Sequence, residues 1–232
     1  LSSLALADAS GAGSGSIQLQ GRNISLKDGS KALLQTQGLE SGGQIKVNAA
    51  QSIEILGTNS EGTLGSSLLT ETIGIGNGGD IIISTPNLFL SQGAIVRTHT
   101  FSSARGGNIT INASEALKTS DLSTINPNNE TKISTLSFNS GAAGDINIST
   151  QNLSNSGQEI SSATFGIGNG GNVSVSTEEL TIFDGGVIAS ATLGIGNGGN
   201  VEVNAKSISL KGIANDNFTP STLSASSLAI GN

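Results

Sequence analysis

The 232-residue sequence has no cysteine, methionine, tryptophan or tyrosine, only three prolines and a single histidine, His99. Without cysteine there is no disulfide framework, thiol nucleophile or thiolate metal site. With one histidine there is no imidazole cluster for a metal either, and no cofactor is expected. Lys and Arg number 10 against 17 Asp and Glu, giving a net charge of −7 with no basic cluster. The six Phe are the only aromatics. A basic patch with stacking rings is therefore missing, which excludes nucleic acid as a partner. No apolar run is long enough to cross a bilayer, so membrane insertion is not expected. No leader pattern is visible. The chain opens on Leu1 and contains no Met, and so reads as a segment of something longer.

What is abundant is glycine, 33 residues of it, with many Ser, Asn and Thr among Ile, Leu and Val. Apolar residues reach only 35%, less than a compact globule usually carries. Charged residues make up 12%, too few for a disordered chain. Small polar residues beside β-branched ones suit strands and tight turns.

The hexapeptide GIGNGG occurs at 74–79, 166–171 and 194–199, and each copy satisfies G-x-G-x-x-G. A dinucleotide loop of that pattern must open a helix whose N-terminus receives the phosphates. Here the copies run into DIIIS, NVSVS and NVEVN, which read as strand. The glycines instead mark a repeat. Taking Gly15, Gly43, Gly79, Gly107, Gly144, Gly171 and Gly199 as anchors, the intervals are 28, 36, 28, 37, 27 and 28 residues. After each anchor comes a polar residue, then two apolar residues at period two, such as Ile81/Ile83 or Val173/Val175. A polar pair follows, then a second short apolar alternation such as Leu88/Leu90. A third begins at Leu68, Val96, Ile133, Ile160 and Ile188, with another apolar residue five positions later.

Period-two alternation marks strands with one buried face, and no segment has a helical period. A unit this small cannot bury its apolar face alone, whereas stacked copies can. The spacing predicts one all-β domain over residues 1–232. It is a right-handed parallel β-helix with three strands per coil of about 28 residues, seven coils and a length of about 35 Å. In that fold Gly79, Gly107, Gly144, Gly171 and Gly199 are structural turn residues, expected to supply positive φ and close backbone approach. Stability is expected from in-register stacks of Ile, Val, Leu and Phe.

The stretches GNGGDIIISTPNLFLSQGAIVRTHTF, GGNITINASEAL and GGNVSVSTEELTIFDGGVIASATLGIGNGG resemble the repeats of large filamentous-haemagglutinin-like exoproteins. Those proteins are secreted by the two-partner route in Gram-negative bacteria, and the likeness is nearest to the long cyanobacterial ones. The resemblance covers nearly the whole chain from about Gly15. It implies a shaft segment of an extracellular, cell-surface adhesin, exported with an outer-membrane transporter as partner. The amino-terminal secretion domain of that family is not evident, and INPNNE at 125–130 only echoes its Asn-Pro-Asn signature.

Four features invite a chemical reading. The polar residue after each anchor, such as Asp80, Asn108, Asp145 or Asn172, stacks down the rod and predicts a side-chain ladder. Calcium is the alternative, although a calcium-binding β-roll repeats every nine residues and favours Asp. The Thr-x-Thr positions, such as Thr70/Thr72 and Thr98/Thr100, would form an ice-binding array if exposed. Strand parity places them inward with Val96, and leaves Glu71, Arg97 and His99 outside. The outward positions Gln18, Lys46, Ile82, Thr110, Asn147, Ser174 and Glu202 form a mixed, solvated face. No acid–base pair stands there, so no catalytic residue is assigned and an enzyme is not expected.

The last feature is a set of insertions at 57–66, 120–131 and 212–220, all between the second and third strands and hence on one edge. Repeat arrays often bind through such loops. Thr58, Asn59, Glu61, Asn126, Asn128, Asn129, Asn215, Asp216 and Phe218 are the candidate contact residues, for a carbohydrate or cell-surface ligand. Outward Ile82 and Phe89 could add a small sticky patch. The leading expectation is a structural, adhesive fibre module. Its rivals are a carbohydrate-active enzyme on a β-helix scaffold and a filament subunit that self-associates end to end.

Overall fold

A computed structural model of the chain describes residues 1–13, 15–120, 122–123, 125–126, 129–214 and 218–228. Among these the regular structure is entirely strand. In chain order the strands are β1 (Leu6–Asp8), β2 (Ile17–Lys27), β3 (Lys31–Thr36), β4 (Gln44–Leu56) and β5 (Ser67–Thr72). Then follow β6 (Asp80–Ser91), β7 (Ile95–Thr100), β8 (Ile109–Ser120), β9 (Lys132–Ser137) and β10 (Ile146–Ser156). The last five are β11 (Glu159–Thr164), β12 (Val173–Phe183), β13 (Val187–Thr192), β14 (Val201–Lys211) and β15 (Thr222–Ser227).

Long and short strands alternate, and each pairs with its equivalent one coil away. The short strands make an eight-stranded sheet in the order β1-β3-β5-β7-β9-β11-β13-β15, and the long strands a seven-stranded sheet from β2 to β14. Every pairing is parallel, so the fold is the expected β-solenoid. The register follows the glycine intervals. Ile17 pairs with Ile45, Ile45 with Ile81, Ile81 with Ile109, Ile109 with Ile146, and Ile146 with Val173. The insertions are thus looped out without disturbing the stack.

One expectation is corrected. Each coil has two hydrogen-bonded strands, not three. The polar pair was expected to separate the first and second strands, but pairing continues past it with a local register shift, as between Thr85 and Asn87 or Thr150 and Asn152. A bulge absorbs a residue and bends the strand without ending its ladder.

The long strands supply an aliphatic interior. Ile45, Val47, Ile53, Ile55, Ile81 and Ile83 are fully buried, and their equivalents in later coils lie over them. Each such side chain contributes roughly 1.5–3 kcal/mol by leaving water. The second apolar position changes at Thr119 and Asn155. Both are buried, and the Thr119 hydroxyl donates to Asn155 Oδ1 at 2.7 Å. Asn155 Nδ2 donates in turn to the Gln158 carbonyl at 2.9 Å, so the polar break in the stack is satisfied internally.

The short strands line the interior with one apolar residue and then hydroxyls, as parity predicts. Thr98 is buried and its Oγ1 donates to the Gly107 carbonyl at 2.7 Å. Thr70 and Thr135 make the same bond to Gly79 and Gly144, also at 2.7 Å. These hydroxyls satisfy turn carbonyls inside the rod, so this Thr ladder is not an exposed array.

The anchor glycines act by close approach alone. A Cβ added to Gly107 would lie 1.8 Å from the Gly79 carbonyl oxygen, backbone against backbone. The expected positive φ is not found at the anchors but at the opposite corner, where a long strand turns into a short one. Gln92 and Gly93 have φ of 58° and 85° there, and Ala94 N–H closes the turn on the Ser91 carbonyl at 3.3 Å.

The phenylalanines stack as expected. Phe101, Phe138 and Phe165 stack in register, but on the outside of the rod and not in its core, and each is 42–47% exposed.

Candidate functional site

All three insertions leave the rod at the corner between a long and a short strand. The first closes as a small hairpin through a Thr58–Gly65 bridge. Asn59 organises it. Its Oδ1 accepts from the Thr63 and Leu64 N–H groups, both at 2.8 Å, and its Nδ2 donates to Thr63 Oγ1. The second insertion folds onto the first. Thr58 and Ser123 hydroxyls bond at 3.2 Å, Asn126 Nδ2 donates to the Gly62 carbonyl at 3.2 Å, and Asn129 Nδ2 donates to the same oxygen. The intervening corner has no insertion, and Gly93, lacking a side chain, lets Thr58 and Asn129 both approach it.

The two insertions therefore form one knob. Of the expected contact residues, Thr58 and Asn59 are buried in holding it together, and Asn126 and Asn129 face the partner loop. Asparagines in loops serve the local backbone before any ligand. Glu61 is exposed, as expected. So are Leu64, Leu122 and Ile125, which sequence reasoning passed over although apolar residues inside polar insertions were the signal. The third insertion has its own bridge, Ile213–Pro220, and Phe218 is 87% exposed. It lies three coils along the axis, about 14 Å from the knob. Asn128, Asn215 and Asp216 lie outside the described residues.

The polar residues after the anchors make the expected ladder. Asp80 Oδ1 accepts from Asn108 N–H at 2.8 Å, Asn108 Oδ1 from Asp145 N–H at 2.9 Å, and Asp145 Oδ1 from Asn172 N–H at 2.7 Å. Asn172 Oδ1 then accepts from Asn200 N–H at 3.0 Å. These oxygens are committed to backbone donors, which accounts for Asn and Asp alternating freely at the position.

The outer face of the short-strand sheet holds a charged cluster that the sequence reading missed. Lys132 and Glu159 are register partners, and the ammonium contacts Glu159 at 3.1 Å and Glu130 at 2.9 Å. Ser161 donates to Glu159, and Arg97 Nε donates to Ser134 Oγ at 2.8 Å. Burial tends to raise the Glu159 pKa. The Ser161 bond and the charges of Lys132 and Arg97 outweigh it, leaving the carboxyl below its ordinary value. Burial tends to lower that of Lys132, but Glu130 and Glu159 hold it above its ordinary value. Arg97 is lowered by burial, against the pull of Glu159. The signal was present in the repeat: Lys132 and Glu159 each immediately precede a buried Ile of the same column.

His99 points outward as parity predicts, but it is covered. Its ring packs edge-on against Phe101 and Phe138, with centroids 5.6 and 5.7 Å away, and neither ring nitrogen has a hydrogen-bond partner. Burial first, and Arg97 second, push its pKa down to about 4. It is a neutral packing residue rather than an open strand residue.

The chain matches no family model, no curated protein and no solved structure. Its reading therefore rests on its own geometry. Along the bend of the long strands a broad, open groove is lined by Gln20, Asn48, Ser84 and Asn112, a column of neutral polar side chains. Outward Ile82 and Phe89 lie on the adjoining strand faces and are only half-buried.

Proposed function

We propose that this chain is a rigid shaft module of a secreted, cell-surface exoprotein, with contacts made through its edge loops. The observation that supports the reading most directly is the continuity of its ladders. Backbone pairing, aliphatic stacks, turn-capping hydroxyls and the Asp/Asn column all run along one axis through coils up to nine residues longer than the 28-residue unit. Such a rod resists bending, because every coil is tied to the next by several kinds of bond. The knob formed by the first two insertions suits adhesive contact. Its polar side chains are spent on holding its shape, so Glu61, Leu64, Leu122 and Ile125 are presented with little ordering cost.

The carbohydrate-active alternative has one place to stand, the cluster of Arg97, Lys132 and Glu159. Glu159 is held ionised by its neighbours, which suits an ion pair and not a proton donor to a leaving group. Export through an outer-membrane transporter remains part of the proposal, on the repeat resemblance.

Labelling of intact cells that make the parent protein tests the reading. A membrane-impermeant amine reagent should modify exposed Lys46 and Lys206 before lysis; modification only after lysis would contradict it. A glycan and cell-binding screen with residues 57–66 and 120–131 trimmed should show binding lost. Unchanged binding would remove the loops from the proposal while leaving the shaft.

A further inference from the structure

The exposed phenylalanine ladder is part of a longer apolar ridge. Backbone hydrogen bonds of 2.8–3.0 Å align Ile73, Phe101, Phe138, Phe165 and Leu193 one above another, where each short strand enters its glycine-rich turn. They are 40–51% exposed. Two residues on, Leu39, Ile75, Ile167 and Ile195 add a second exposed column. A protein of net charge −7 rarely leaves such a stripe uncovered.

Beside the ridge lies a groove. On the outer face of the short-strand sheet the early coils carry large side chains, Leu69, Arg97 and His99. The later coils carry Ser161, Ala163, Ala189 and Ala191 in the same columns. The result is a depression of about 210 Å³, walled by Phe165 and Leu193 on one side and Lys132 and Glu159 on the other. A void of about 150 Å³ accepts a benzene ring, so this one has room for a phenyl side chain.

We propose that this face pairs laterally with a second copy of the chain, the two rods lying parallel about a two-fold axis along their length. Ridge and groove stand side by side at the same height, and that rotation lays each copy's Phe165 and Leu193 over the other's alanine floor. The contact is isologous, as closed dimers require. Charge favours this occupant. The turns bearing the ridge, from 37–43 to 193–199, contain only Glu40 and Arg105 as charged residues, and on the groove wall Lys132 is paired with Glu159, so two acidic rods meet where like charge is sparse. Area favours it too. The exposed fractions of the nine ridge side chains amount to roughly 900 Å², taking about 180 Å² for each if fully exposed, against about 800 Å² per partner in a standard interface. The proposal concerns the sides of the rod and does not depend on export or on the loops.

Sedimentation equilibrium of the whole chain tests it. The expected result is twice the chain mass at micromolar concentration. Phe165→Glu and Ala191→Glu, on ridge and groove, should each return the chain mass with unchanged circular dichroism. Ile82→Glu, on the other sheet, should leave the dimer intact. The absence of native cysteine allows a second readout. Leu193→Cys chains mixed with Ala191→Cys chains should form a disulfide with each other. Cross-linking between Ile73→Cys and Leu193→Cys chains would mean antiparallel rods and would overturn the pairing. A wild-type monomer, or a dimer indifferent to both face variants, would overturn it as well.

Discussion

The two sheets of this rod solve the same problem differently. Inside the long-strand sheet the inward positions of strands such as β4 and β6 are aliphatic except for Thr85 at the bend, and stability comes from area removed from water. Inside the short-strand sheet one aliphatic residue is followed by Thr or Ser, whose hydroxyls reach the glycine carbonyls of the turn. The first interior holds like over like within a column. The second ties the column to the turn that closes the coil. A solenoid needs both, because stacking alone does not fix where the chain turns.

The junction between the two is the most sensitive point. Gly107→Ala should cost upward of about 4 kcal/mol, because its Cβ meets the Gly79 carbonyl and not a yielding side chain. Urea denaturation measures it, and a loss under 1 kcal/mol would mean the turns can separate. On the aliphatic side, Ile83→Ala should cost about 3 kcal/mol, the usual result of an unfilled cavity in a tight column.

Outside the short-strand sheet, His99 gives a pH test. Its folded pKa of about 4 lies below its ordinary 6.5, so between these values the unfolded chain binds more protons. Stability is present above pH 6.5 and declines as pH falls toward 4, by on the order of 2 kcal/mol. Arg97 beside it keeps its charge throughout, and Glu159 titrates lower, so His99→Phe should flatten melting temperature against pH in this window alone. An unchanged slope would show that the ring is open to water.

The smallest effects come from the hydroxyl interior, and they are the most discriminating. Thr98→Val removes a donor and strands the Gly107 carbonyl, for a loss of about 1.5 kcal/mol. Thr72 is equally buried but its Oγ1 has no partner. Thr72→Val should be neutral or slightly stabilising. Equal losses at both sites would show that shape, not bonding, is what Thr supplies.

The stacking itself was legible from the amino-acid order, because a glycine interval and a period-two alternation have one common solution. The inward Thr columns and the Asp/Asn ladder followed from parity and register. Three things were not legible. The polar pair did not announce itself as a bend, since polarity alone does not distinguish a bulge from a turn. The outward side of the Phe column was hidden because apolarity at a strand end does not tell which side of the chain faces solvent. The loop asparagines looked like contact groups because a sequence does not show which backbone donors they must satisfy. The pairing of Lys132 with Glu159 is legible in the 27-residue interval that separates them, the same that brings Ile133 over Ile160.

Stacking of equivalent positions is the claim on which all else depends, and the cysteine-free chain permits a direct measurement. Thr110 and Asn147 are 37 residues apart in sequence but register partners in adjacent coils, spanning the second insertion. Adjacent coils lie about 4.8 Å apart, within disulfide reach, whereas two coils are about 9.6 Å apart and out of reach. In mildly oxidising buffer Thr110→Cys with Asn147→Cys should close an intramolecular disulfide, and Ile82→Cys with Asn147→Cys should not. A bond in the second pair and none in the first would contradict the parallel, in-register stack.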